Sequence, residues 1–207
     1  MQYPILYSFR RCPYAIRARI SLAKAGINWA HREVSLKNKP AEMIALSNKG
    51  TVPVLQFKDD QVIDESLDVM LWALEQNDPD HWLDADMHQA LKLINENDLD
   101  FKNDLDCYKY YDRYPEHCQE YYRDRGEQFL IKINDLLEQN NGAGLISKRL
   151  SLADVAIFPF IRQFAGVDRD WFEQTSYHYM INWLKEWEQH NDFLSIMQKY
   201  KFWTSDC

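Results

Sequence analysis

The sequence predicts a small α/β domain followed by an all-helical one. Three observations carry that expectation. Residues 1–76 alternate strand-like and helix-like patterns, and no strand pattern is convincing from Asp84 onward. Between the two regimes lies the polar, proline-containing stretch NDPDHWLDAD. The expected boundaries are therefore an α/β domain at 1–76, a linker at 77–83 and a helical domain at 84–207.

Taken in order, Ile5 to Tyr7 is a short apolar run ending at Ser8 and reads as a strand. Residues 13–25 read as a helix, with Ile16, Ile20 and Ala23 on its apolar face and Arg17, Ser21 and Lys24 on the other. Gly26 suits the C-terminal cap. Residues 28–34 read as a strand, and Pro40 to Leu46 as a short helix with proline at its start. VPVLQF and QVIDES flank Lys58-Asp59-Asp60, a hairpin pattern. Leu67 to Gln76 completes the order β-α-β-α-β-β-α. Beyond it, helical periodicity runs through 84–112, 117–140, 152–165, 177–190 and 193–199, with a break at NNGAG. Ser151-Leu-Ala-Asp154 is a helix-capping pattern, so Asp154 is read as structural. Trp171, Trp183, Trp187 and Trp203 are read as core.

Composition narrows the function classes. The 207 residues carry a net charge of −8. Residues 1–32 hold six basic and no acidic residues, so the remainder is strongly acidic and offers no large basic face for nucleic acid. No apolar run reaches the length of a membrane span. The opening MQYPILYSFRRCPYA lacks the order of a signal peptide, and a cytoplasmic location is the expectation. Cys12, Cys107, Cys118 and Cys207 have no metal-ligand spacing, so no metal is expected and the thiols should stay reduced.

Cys12 stands out among them. It precedes Pro13 at a strand-to-helix junction, in the basic segment YSFRRCPYAIRAR. Proline suits the first helical position, which makes Cys12 the N-cap. Unpaired amides and the positive end of the helix dipole favour a thiolate there, helped by Arg11, Arg10 or Arg17. A thiolate attacks disulfides. The competing reading is a small buried cysteine below a solvated arginine face. Ala15 occupies the fourth position of C-x-x-C, so no local disulfide can form and an external thiol must resolve any mixed disulfide.

The ordered set YSFRRCPYA, LKNKP, TVPVL, DES and SLADVAIFPF resembles the glutathione transferase superfamily over nearly the whole chain. It is most similar to the omega-class and related cysteine-type enzymes, with a monothiol glutaredoxin-like active-site motif. The resemblance implies a thioredoxin-like N-terminal domain and an all-α C-terminal domain. It implies glutathione as cosubstrate, with Cys12 forming the mixed disulfide and Tyr14, Lys39, Val52, Pro53, Glu65 and Ser66 at the glutathione site. It further implies a cis Val52–Pro53 bond and commonly a homodimer. The bland alternatives are a trans Pro53 at a strand edge, a Ser66 that only caps its helix, and a solvated Lys39.

The aromatic stretch FKNDLDCYKYYDRYPEHCQEYY lets Phe101, Leu105 and Tyr108 share a helix face. Tyr108, Tyr111 and Phe160 are candidates for a wall of the second-substrate pocket, against the alternative that they are core packing. Three functions compete. The first is thiol transfer or reduction through Cys12 on a small disulfide or electrophilic substrate; dehydroascorbate reduction is known among the relatives. The second is conjugation with Tyr7 or Ser8 as hydroxyl donor to glutathione. The third is a non-enzymatic protein-binding scaffold of the same fold.

Overall fold

The computed structural model describes residues 3–59 and 61–204. The expected Lys58–Asp60 turn and Cys207 thus fall partly or wholly outside the described residues. Two compact units are present, one comprising residues up to Asp80 together with those from His190 onward, the other His81–Gln189.

The first unit is built on a sheet of β1 (Ile5–Ser8), β2 (Ala30–Glu33), β3 (Val54–Gln56) and β4 (Val62–Ile63), in the order β2-β1-β3-β4. β1 and β2 are parallel, with Leu6 opposite His31, and α1 (Pro13–Lys24) makes the crossover between them. β3 runs antiparallel to both β1 and β4. Strand alternation sends Leu6 and Leu55 into a cluster with Ala18, Leu22, Val69 and Ala73 of α1 and α3 (Ser66–Gln76). Tyr7 and Val54 face the other way, to Val34, Val52 and Met43 of α2 (Ala41–Leu46). α1 ends as expected: Gly26 takes φ +73°, and Ile27 N–H bonds Leu22 O at 3.0 Å.

The amphipathic reading of α1 needs correcting. Arg17 and Ser21 lie at 1% and 0% exposure, so the supposed solvated face is buried too. α1 is covered by α3 and by α10 (Asn191–Ser195), and a helix covered this way has no water-facing stripe. Lys24 alone reaches the edge, paired with Asp80 at 2.6 Å and Asp192 at 2.7 Å. The residues from His190 onward were expected to belong with the helical half. They instead cluster with the sheet: Trp203 N–H donates to Glu33 O at 2.8 Å, and Tyr200 stacks on His31 at 4.1 Å.

The second unit contains α4 (Met87–Glu96), α5 (Lys102–Lys109), α6 (Gln119–Gln139), α7 (Leu152–Ala165), α8 (Arg169–Glu173) and α9 (His178–Gln189). The single helix expected over 84–112 is broken. Asn97–Phe101 forms a π turn, and residues 111–113 a 3₁₀ turn. The wider π turn admits an extra residue, and Phe101 then packs on Phe129 at 4.6 Å and Phe164 at 5.5 Å. α6 approaches α7 closely at Gly126, where a Cβ would meet the Phe164 ring at 2.5 Å. Trp82, expected in a linker, is buried at the start of a short 3₁₀ turn, Trp82–Asp84. No helix among the described residues is long and apolar enough to cross a membrane.

α7 begins with the expected capping box. Asp154 does more than cap. Its fully buried carboxylate accepts from Ser151 N (2.9 Å), Ser151 Oγ (2.7 Å), Leu145 N (3.0 Å) and Trp183 Nε1 (3.1 Å). Burial pushes its carboxyl up to about 6 against the pull of those donors. Asp154→Ala would leave three buried N–H groups without an acceptor, at about 1–3 kcal/mol each, beyond the ~0.5–2 kcal/mol of a lost cap. The expected loss of unfolding free energy is at least about 3.5 kcal/mol, read from the urea midpoint at unchanged m-value.

Candidate functional site

Cys12 closes a tight turn after β1. Its N–H donates to Phe9 O at 3.0 Å, and its C=O accepts from Ile16 N at 2.9 Å, the first helical bond of α1. It is the N-cap, with extended backbone, and Pro13 follows at the first helical position. The sulfur is half-buried and lies 3.7 Å from Val52 O, toward which the thiol S–H points. That contact favours the protonated thiol. The N-terminal end of α1 and nearby guanidinium charge favour the thiolate. The Val52–Pro53 peptide is cis, as the resemblance implies.

The arginines differ in what they do. Arg11 is exposed, with its guanidinium 5.6 Å from the Phe9 ring. Arg17 turns inward: its Nε donates to Ser66 Oγ at 3.0 Å, and its guanidinium lies 4.9 Å over the Tyr14 ring. Two candidate glutathione residues, Tyr14 and Ser66, are thereby tied to one buried side chain. The reading of Arg17 as one of several charges on a solvated face beside Cys12 is replaced by this role. Arg19 went unremarked in the sequence. It is also buried, with Nη2 bonding Arg10 O at 2.8 Å and Nη1 reaching Ser8 Oγ. The signal was there: position 19 follows 12 by seven residues, two helical turns, on the same face.

Ser66 is the first residue of α3 and Glu65 its N-cap, one position earlier than the sequence suggested. Ser66 is buried, whereas Glu65 is exposed and pairs with Lys49 at 2.5 Å. Lys49, another residue the sequence did not single out, also meets Asp64 at 3.0 Å. Ser47 Oγ donates to Asp64 at 2.6 Å. These bonds anchor the Asp64-Glu65-Ser66 loop to the end of α2. Lys39 is exposed, and its Nζ passes close to Gly50, which has φ +61°.

The three candidates for a second-substrate wall do not behave alike. Tyr108 and Phe160 are buried in the helical unit at 2% and 0% exposure, and Tyr108 packs on Phe164 at 4.8 Å. They are packing residues. Tyr111 is surface-exposed, at the edge of a hollow of about 440 Å³ that also includes Cys118. Cys107 is buried, and burial pushes its thiol up. Among the described residues, no group of three or more His, Cys, Asp or Glu side chains is placed to hold a metal ion.

A family model described as the glutathione S-transferase N-terminal domain matches residues 6–82, the stretch that carries Cys12, Val52 and Ser66. Over that stretch the chain is similar to the glutathione transferase superfamily. Glutathione S-transferase omega-1 from Sus scrofa is 39% identical over 61 residues, which is 30% of this chain and 25% of that protein's length. The fold match extends much further. A glutathione transferase family member from Pseudomonas fluorescens pf-5, solved with two glutathione bound, superposes with a TM-score of 0.78 at 14% identity, covering 95% of this chain and 92% of that one. Glutathione transferase Omega 3C from Trametes versicolor gives 0.76 at 20% identity over 98% and 92%.

The anchoring of the Asp64–Ser66 loop has a pH signature. Ser47 and Lys49 hold the Asp64 carboxyl below the usual carboxylate range. A depressed native pKa gives stability that is fully present above the unfolded value near 3.8 and is lost as pH falls through the native one. Ser47→Ala should therefore be less stable than wild type at pH 7, with the gap closing as pH falls below that of an ordinary aspartate. Urea melts from pH 7 to 2.5, with carboxyl NMR titration of Asp64, would register both.

Proposed function

We propose that the protein is a glutathione-dependent thiol transferase in which Cys12 is the nucleophile. The observation that carries this reading is the placement of the Cys12 sulfur at the N-terminal end of α1, 3.7 Å from Val52 O. Glutathione lies along the Val52 backbone, pairing its cysteinyl peptide groups like an added strand. Its γ-glutamyl end meets the start of α3, where Ser66 and the first amides receive the carboxylate and Glu65 receives the ammonium group in competition with Lys49. Tyr14 and Lys39 border the site, Tyr14 held by Arg17. The 61-residue stretch 39% identical to glutathione S-transferase omega-1 of Sus scrofa supports the omega-like reading of the sequence motifs.

The Cys12 thiolate attacks the glutathionyl sulfur of a mixed disulfide, forming Cys12–S–S–glutathione and expelling the substrate thiolate, which takes a proton. A second glutathione thiolate then attacks the glutathionyl sulfur on Cys12, releasing glutathione disulfide and the Cys12 thiolate. Ala15 in place of a second cysteine makes that external thiol necessary. Small disulfides and dehydroascorbate suit the same two-electron cycle. A reducing, glutathione-rich cytoplasm is the matching compartment.

Conjugation through a hydroxyl is less well supported. Tyr7 and Ser8 are both fully buried, and each oxygen is engaged by an arginine, Arg32 and Arg19 respectively.

Incubation with glutathione disulfide should add one glutathionyl group, mapped by mass spectrometry to Cys12 and removed by reductant. Cys12→Ser should lose the adduct, and its thiol-transferase rate should fall to that of the uncatalysed reaction. Retention of that rate in Cys12→Ser, with loss of conjugation in Tyr7→Phe, would instead establish the hydroxyl mechanism.

A further inference from the structure

The turn that presents Cys12 is held from below by two buried, oppositely charged side chains. Arg19 lies two helical turns along α1 from Cys12, about 10 Å by helix rise. Side chains lean toward a helix's N-terminus, and a long arginine spans that distance. Its Nη1 approaches Phe9 O at 3.4 Å and reaches Ser8 Oγ, while Nη2 bonds Arg10 O at 2.8 Å. Phe9 O is the same carbonyl that accepts the Cys12 N–H. From β2, Glu33 Oε1 accepts the Arg10 N–H at 2.7 Å. Three backbone polar groups of the turn are thus fixed by these two side chains, at 1% and 4% exposure.

The pair is enclosed by the C-terminal segment. Met197 Sδ lies 3.9 Å from Arg19 Nη2, and Trp203 N–H bonds the Glu33 backbone. His31 faces Glu33 Oε2 at 3.0 Å and stacks on Tyr200. With little water at hand, charges there act over longer distances than at the surface.

We propose that Arg19 is a positioning residue for Cys12, clamping the Ser8–Arg11 turn and supplying the buried positive charge that stabilises the Cys12 thiolate, with Glu33 as its counterweight. The proposal rests on Cys12 being the nucleophile and names what sets its reactivity. The charged and titratable groups whose fields reach the Arg19 guanidinium are Glu33 from β2, Cys12, Tyr200 from the C-terminal segment and Arg10 from the turn. Burial draws Arg19 down to about 10, which leaves it charged at neutral pH. Arg19 assists the sulfur and Glu33 opposes it, so the two must act on Cys12 with opposite sign. A purely structural pair would not do that.

The test is the rate of Cys12 alkylation by iodoacetamide against pH, with the modified peptide quantified by mass spectrometry, in wild type, Arg19→Met, Arg19→Lys and Glu33→Gln. Arg19→Met should raise the midpoint by about one pH unit, a tenfold slower reaction below both midpoints. Arg19→Lys should recover part of that shift. Glu33→Gln, which keeps an acceptor for the Arg10 amide, should lower the midpoint. A folded Arg19→Met with the wild-type profile overturns the proposal while leaving Cys12 as nucleophile. A wild-type Cys12 that titrates as an ordinary thiol removes the nucleophile assignment itself, and the proposal with it. Should Arg19→Met not fold, Glu33→Gln decides: a downward shift supports the proposal, and an unmoved midpoint overturns it.

Discussion

Two guanidinium groups inside a twelve-residue helix constrain everything around them. Moving a charge out of water costs several kcal/mol even after relaxation, so each must find hydrogen-bond partners within the unit. Arg17 finds Ser66 and the face of Tyr14. Arg19 finds the carbonyls that follow β1. Both solutions reach elements that carry the candidate site: Arg17 holds Ser66, and Arg19 holds the turn that leads into Cys12. The packing of α1 and the geometry of the site are therefore one problem, and a change that frees either arginine disturbs both.

The helical unit shows the same economy with the opposite charge. Asp154 gathers donors from the segment before α7, from the start of α7 and from α9. Its carboxylate stabilises the junction because every surrounding donor is committed to it. A buried charge is tolerable in either unit only as a hub, where hydrogen-bonding groups gather around it. The hub in the first unit also touches the chemistry, whereas the hub in the second holds helices together.

The thiol chemistry proposed for Cys12 depends on a balance that no single contact decides. The Val52 carbonyl favours the protonated sulfur. The start of α1 and the buried arginine favour the ionised one. Glu33 moderates the arginine while bracing the turn. The segment around Met197, Tyr200 and Trp203 keeps this group away from water, so the far end of the chain bears on a site at its beginning.

Much of this was legible in the residues. Cys12 before Pro13, the strand and helix order, Gly26 as a stop and the Ser151–Asp154 cap are local patterns, set by φ/ψ preferences and hydrogen bonds within a few residues. They survive whatever the rest of the chain does. Other features depend on which surfaces meet. The buried state of Arg17, the core positions of Tyr108 and Phe160, the π turn before α5 and the docking of the C-terminal segment on the sheet all depend on contacts distant in sequence. Periodicity marks a helix and one apolar face, but it carries no information on whether a second face will be covered as well. Only the packed fold determines which charges lose their water, and that loss decides which arginine acts on the sulfur.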